Sequence, residues 1–401
     1  MTNPPGFEGI IDIELFLDEG ATQPSQVAIR SSRPTDISRI FQGKSVDETL
    51  QLIPLVFSVC SRAQQCASVR AIEKAQGITV QPHVETIRES LVHMETISEH
   101  LWRVFLNWPN EIGEPENHSL LARVKRIAGE YETHLCGNYN YFAPGALPQR
   151  QLGNEHALHS SVNQIIEIVE SNILQCEISA WLEIFGTYEF QQWLQEKNTP
   201  AKSFIQHIVA NNWQTAGRCD SKVLSINGEE DEAQLHREME NEDFTRHPSW
   251  QGACRETSSG ARVDSPLLYA LKKEYGNGLL VRVIARLTEL VMLTQHLIPG
   301  RVAAETTMGQ VPDINLAIGK VNAARGQLLH RVELQGNYIK RYQILAPTEW
   351  NFHPQGVVAL ALASLKGSHD QIVQQAKLLI EVIDPCVGYR LHTQEMEHTN
   401  A

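Results

Sequence analysis

The residues best suited to chemistry lie near the C-terminus, in the run Asp384-Pro385-Cys386-Val387-Gly388-Tyr389-Arg390-Leu391-His392. Its spacing is that of a metal-ligand box, Asp-Pro-Cys-x-x-Cys-x-x-His, with a tyrosine at the second cysteine position. Thiolates are soft, strongly donating ligands suited to iron or nickel, and a Cys-x-x-Cys pair can grip one metal from a single turn. Tyr389 cannot act as a soft ligand. Half of the expected thiolate chemistry is therefore gone.

A second segment, Val56 to Glu73, carries Cys60 and Cys66. Together the two segments resemble the cysteine motifs of the large subunit of nickel–iron hydrogenases. The N-terminal motif of that family is Arg-x-Cys-Gly-x-Cys-x-x-x-His, followed by a helix beginning roughly Ala-Ser-x-x-Ala-x-Glu. Cys60 falls on its second cysteine, and Ala67, Ser68, Ala71 and Glu73 follow in register. Leu55, Phe57, Ser58 and Gln64 replace the arginine, the first cysteine, the glycine and the histidine. Other islands agree in order and spacing. Glu8-Gly9 is similar to the family's N-terminal Glu-Gly pair, and Glu256 to Arg262 to a Glu-Val-Gly-Pro-Leu-Ala-Arg segment broken at Ser258 and Ser259. The clearest match runs through Ala323–His330, Gly336–Ile339, Tyr342 and Pro347–Asn351, with Pro354 beyond. The resemblance spans about residues 6 to 392.

The departures decide what the resemblance implies. Catalytic members hold nickel and iron with four thiolates, two of them bridging. Cys60 stands at a bridging place and Cys386 at a terminal nickel place, while Phe57 and Tyr389 fill the other two. Two thiolates do not build the binuclear centre, so no enzymatic hydrogen oxidation and no nickel are expected. One iron atom already dressed with cyanide and carbon monoxide needs few protein ligands. Cys60 and Cys386 are the candidate metal ligands, with His392, Cys66 and Glu8 as weaker candidates. In the resembling enzymes an arginine and a hydroxyl lie beside the cyanides, and Arg325 and Thr348 occupy those positions. A guanidinium and a hydroxyl are the donors that anionic nitrogens need in a dry pocket.

This pattern of kept and lost ligands is similar to the hydrogenase accessory proteins of the HupK/HoxV type. It implies a non-catalytic scaffold or chaperone that holds an Fe(CN)2(CO) group transiently. The implied partners are the maturation proteins that build that group and the apo large subunit that receives it. The alternatives are a metal-free mimic that docks maturation partners, a metal-free structural subunit, and a divergent active hydrogenase. Plainer readings stand beside each residue. Cys60 and Cys386 are otherwise buried structural thiols, as intracellular cysteines usually are, and Arg325 an ordinary ion-pair arginine. Glu8 has no proton traffic to carry without nickel. His93, His100 and His330 lie on helical or strand faces and are not expected to be ligands. The tail Thr393 to Ala401 is expected to stay uncleaved, since no nickel would signal its removal.

The elements that must position these residues are mainly helical, with a small N-terminal β element (α+β), read as one domain over residues 1–401. Gly9 to Leu17 partly alternates apolar with acidic residues and predicts a strand, followed by a turn at Asp18-Glu19-Gly20 and a partner near Val27 to Arg30. Thr86 to Phe105, Val162 to Trp193 and Leu279 to Leu297 have helical periodicity. Ser368-His369-Asp370-Gln371 has the form of a capping box that opens a helix, and Asp384-Pro385 ends it. Cys136–Asn154, the acidic segment 228–243 and Pro299–Pro312 are expected as loops.

Composition narrows the partners. A net charge of −13 argues against nucleic acid and anionic membranes. The N-terminus lacks a signal-peptide pattern, and Leu279–Ile298 carries Arg282, Arg286 and Glu289 and so is no membrane span. A cytoplasmic location is expected, in which seven cysteines are free thiols.

Overall fold

Ile11, Ile13 and Leu15 alternate with Asp12, Glu14 and Phe16, and this period of two buries the first set completely in strand β1 (Ile11–Phe16). The computed structural model describes residues 9–149, 155–195, 199–297 and 315–394. Strand β2 (Gln26–Ser31) pairs antiparallel with β1, as the hairpin expectation requires. Helices α1 (Val46–Val56), α2 (Ser61–Ala75) and α3 (Pro82–Trp102) follow. α3 runs on into a π-helical turn, Arg103–Asn107, so the expected helix over 86–105 is both longer and irregular at its end.

Two expectations fail. The periodic stretch 162–193 is not one helix. It breaks at Gln175, whose φ is +57°, and resumes as short helices Ile178–Leu182 and Thr187–Gln195. The acidic segment is not a loop. Helix α4 (Gly228–Glu238) forms there because Glu229, Glu230 and Asp231 lie in its first turn and His236 and Arg237 in its last, which suits the helix dipole. Leu235 is buried, and Glu232 pairs with Lys74 and Lys320. A charge run thus hides one packing face.

Helix α5 (Leu279–His296) crosses the interior as predicted. A three-stranded antiparallel sheet, β3 (Leu316–Ala323), β4 (Gly326–Gln335) and β5 (Tyr338–Leu345), enlarges the β content beyond the expected minor element. α2 lies close on β3. A Cβ on Gly319 would stand 2.0 Å from the Ala67 carbonyl oxygen, so only glycine permits this approach. Short helix α6 (Pro347–Asn351) and helix α7 (His369–Ile383) come next. The capping box at Ser368 and Gln371 is present in both directions. α7 stops at Asp384, with φ +71°, before Pro385. Strand β6 (Tyr389–Gln394) then joins β1 in parallel, giving the order β2-β1-β6. Residues Pro299–Pro312, expected as a loop, and Glu8 lie outside the described residues, as does most of the tail.

Candidate functional site

Cys60 and Cys386 are 326 positions apart, and they line one cavity of about 110 Å3. Cys60 is the N-cap residue of α2. The opening amides of that helix are met from the side: Glu95 of α3 accepts from the backbone N–H of Arg62 at 2.8 Å and of Ala63 at 3.0 Å. Cys386 sits between the stop of α7 and the start of β6, so both flanks are anchored. Its sulfur accepts a hydrogen bond from the Thr348 hydroxyl at 3.2 Å.

Arg325 and Thr348 line the same cavity. Arg325 is in the tight β3–β4 connection between Ala323 and Gly326. Gly326 has φ +140°, and a Cβ there would stand 2.4 Å from the Thr257 carbonyl oxygen. Asn351 fixes this corner, donating to the Arg325 carbonyl and accepting from the Thr257 amide, each at 3.0 Å. Arg325 Nε donates to Asp384 at 3.3 Å and Nη2 to Glu99 at 2.9 Å. Nη1 has no protein hydrogen-bond partner among the described residues. Arg325 is thus an ion-pair arginine on two sides and a cavity-lining donor as well.

Asp384 is the electrostatic hub beneath. Its fully buried carboxylate meets Arg103 at 2.6 Å, Arg286 at 3.2 Å and Arg325 at 3.3 Å. Burial alone would raise its pKa, but the three guanidiniums win and hold it well below the usual carboxylate range. The sequence places Asp384 in the ligand box and at the helix stop, but gives it no electrostatic role. Its place beside Pro385 in the ligand box was a usable signal.

The Cys60 thiol is not a ready-made thiolate. Burial, with Glu95 and Cys386 adding to it, pushes the Cys60 thiol up to about 12, against the Gln64 amide and Arg325. Gln64, where the resembling motif has histidine, donates to the Cys60 sulfur at 3.5 Å. Its carbonyl oxygen lies 2.8 Å from His330 Nε2, whose Nδ1 lies 2.7 Å from the Tyr342 hydroxyl. Tyr342 in turn meets Ser68 at 2.8 Å. His330 is neutral, since burial drives its pKa down to about 3, so one nitrogen donates and the other accepts. A proton on Nε2 satisfies this chain without a clash of donors. Its end point is the Cys60 sulfur.

Other predicted residues are placed elsewhere. Cys66 is fully buried inside α2 and absent from the cavity wall, and burial raises its thiol to about 11. His392 is exposed on β6 opposite Glu14. Neither lines the cavity that Cys60 and Cys386 share. His93, His100 and His330 do not line the cavity. Phe57 does, and so holds its motif position with an apolar wall. Tyr389 does not; its hydroxyl is raised by burial and by Glu381 and Glu111, which lie away from the cavity lining.

One contributor had no motif to announce it. Arg33, on the loop after β2, lines the cavity and forms an ion pair with Glu349 of α6. Burial opposes its charge, but the Glu349 carboxylate beside it keeps the guanidinium charged. Nothing in its neighbourhood distinguishes it from Arg30 or Arg39.

The arrangement offers two soft donors, two guanidiniums, the Glu349 carboxylate, the hydroxyl residues Thr35, Ser58 and Thr348, and an otherwise mostly apolar wall. Among the described residues, no three His, Cys, Asp or Glu side chains converge to hold a metal ion.

Comparison with known proteins agrees with the fold. A family model described as nickel-dependent hydrogenase matches residues 270–388. Hydrogenase expression/formation protein HoxV of Cupriavidus necator is 29% identical over 394 residues, covering 93% of this chain and 94% of that protein. Hydrogenase expression/formation protein HupV of Azotobacter chroococcum is 27% identical, covering 96% and 98%. The solved Ni-Fe-Se hydrogenase from D. vulgaris Hildenborough superimposes with a TM-score of 0.62 at 15% identity, covering 91% of this chain and 93% of that one.

Proposed function

Because this chain is a homologue of the nickel–iron hydrogenase large subunits and of hydrogenase expression/formation proteins, we propose that it serves hydrogenase maturation as a non-catalytic scaffold. It takes the Fe(CN)2(CO) group as transient cargo, ligates it through Cys60 and Cys386, and passes it to the apo large subunit. The observation that carries this reading is the meeting of Cys60 and Cys386 in one cavity with Arg325 and Thr348, while Phe57 and Tyr389 bring no further thiol.

The chemistry is that of reversible holding. Cyanide and carbon monoxide fill most positions on the iron, so two thiolates complete its needs without enclosing it. Arg325 Nη1 is the donor available to a cyanide nitrogen, and the Thr348 hydroxyl would serve a second one only by turning its hydrogen away from the Cys386 sulfur. Cys60 must lose its proton when the iron arrives, because the thiolate is the ligand. The high pKa of free Cys60 works against tight binding and so favours release. The same high pKa is the observation that favours the second reading, a metal-free mimic whose buried thiols only pack. Infrared spectra of protein purified without oxygen beside its maturation partners distinguish the two. Cyanide and carbonyl stretching bands that track this chain support the scaffold, and their absence supports the mimic.

A further inference from the structure

The cavity has a doorway. Arg33, Pro34, Thr35, Thr348 and Glu349 line both the thiol cavity and an adjoining groove of about 540 Å3 on the β2 side. The ion pair of Arg33 with Glu349 therefore stands between the two spaces. The pair is incompletely satisfied. Arg33 Nε and Glu349 Oε2 are both buried and have no hydrogen-bond partner among the described residues. A buried guanidinium N–H left without an acceptor is costly, and native structures rarely keep one without a purpose. Arg33 lines the cavity with both sulfurs, which places its charge within reach of whatever they hold.

From this geometry we infer that Arg33 is an anion-binding residue at the cavity mouth, which gives a guanidinium N–H that Glu349 does not take to an anionic diatomic ligand on the cargo. The inference rests on the scaffold reading for the identity of the cargo, but not for the anion contact itself. Charge supports it. A ferrous ion with two cyanides and two thiolates carries a net −2, and Arg33 and Arg325 are the two cationic side chains on the cavity wall. Arg325 is fixed by two ion pairs, with Asp384 and Glu99, and offers only Nη1, whereas Arg33, with one carboxylate partner, is the adjustable member. On arrival of the cargo, Arg33 shares itself between Glu349 and the anion. No bond is made or broken in this step beyond hydrogen bonds.

Two arms test it, using Arg33→Gln, Arg33→Lys and, as a surface control, Arg126→Gln on an exposed helix face. In the first, metal-free full-length protein is titrated with thiocyanate in a calorimeter. Loss of one charge-assisted hydrogen bond predicts binding weaker by roughly tenfold or more in Arg33→Gln, with partial recovery in Arg33→Lys and none lost in the control. Equal affinity in wild type and Arg33→Gln, or no binding to wild type, overturns the inference. In the second, infrared spectra of cargo-loaded protein are compared. A shifted cyanide band in Arg33→Gln is expected, and superimposable cyanide bands overturn it. Arg33-dependent thiocyanate binding without cyanide and carbonyl bands on wild type would instead sink the scaffold reading and leave the anion contact standing. Circular dichroism melts identify any variant that fails to fold, in which case Arg33→Lys decides.

Discussion

Thr348 donates its hydroxyl hydrogen to the sulfur of Cys386 across 3.2 Å and accepts the Cys386 backbone N–H at 3.4 Å. One side chain therefore orients a candidate ligand at both its sulfur and its backbone. Thr348→Val keeps the volume and deletes both bonds. It should lower stability by about 1 kcal/mol and reduce retained iron, whereas Thr348→Ser should restore both. Urea midpoints and metal content after gel filtration measure the pair of effects.

Asp384 makes a stronger claim on stability. It is buried against three guanidiniums, so its removal leaves positive charge without a partner. Asp384→Asn should cost about 3 to 5 kcal/mol, the range for breaking a buried ion pair from one side. Urea unfolding would contradict this if the midpoint moved by no more than that of a surface substitution.

What could be read from the sequence was what neighbouring residues decide among themselves. The N-terminal alternation, the capping box at Ser368 and the stop at Asp384-Pro385 depend on contacts within a few positions, and all are present. The break at Gln175 was invisible because periodicity persists through it and only a left-handed residue interrupts the helix. The sheet over 316–345 was missed although Gly336-Asn337 lies between its last two strands as a hairpin turn. In the site, Cys60, Cys386, Arg325 and Thr348 were nameable through motifs. Arg33 and the hub role of Asp384 were not, because their partners come from 316 and up to 281 residues away.

Phe57 and Tyr389 make opposite predictions for restoring ligands. Phe57 lines the cavity beside Cys60, so Phe57→Cys places a third thiol there. Three thiolates and one water form a ready zinc donor set, and zinc affinity should rise by at least about tenfold. Tyr389 does not line the cavity, so Tyr389→Cys should leave zinc affinity near that of the parent. Competition with a chromophoric chelator reads both.

Acidity should expose the buried histidines. Burial lowers His330 to about 3 and His93 to about 4, so both stay neutral in the folded chain while the unfolded chain protonates them near 6.5. Their contribution is present above pH 6.5 and is lost as pH falls toward 4, at up to about 1.4 kcal/mol per pH unit for each. Glu95 acts in the opposite sense. Burial raises it to about 7, so its contribution is present below about 4.5 and is lost as pH rises through 7. Between pH 6.5 and 5, His330→Asn should therefore flatten the stability profile and Glu95→Gln should steepen its acid fall. Urea midpoints at a series of pH values test both slopes.

The most direct measurement is infrared spectroscopy on anaerobically purified protein made with its maturation partners, comparing wild type with Cys60→Ala and Cys386→Ala. The account predicts cyanide and carbonyl bands on wild type, lost or strongly reduced in each single variant, with a parallel fall in active hydrogenase. Bands that persist unchanged in both variants, or an undiminished yield of active enzyme, would contradict it.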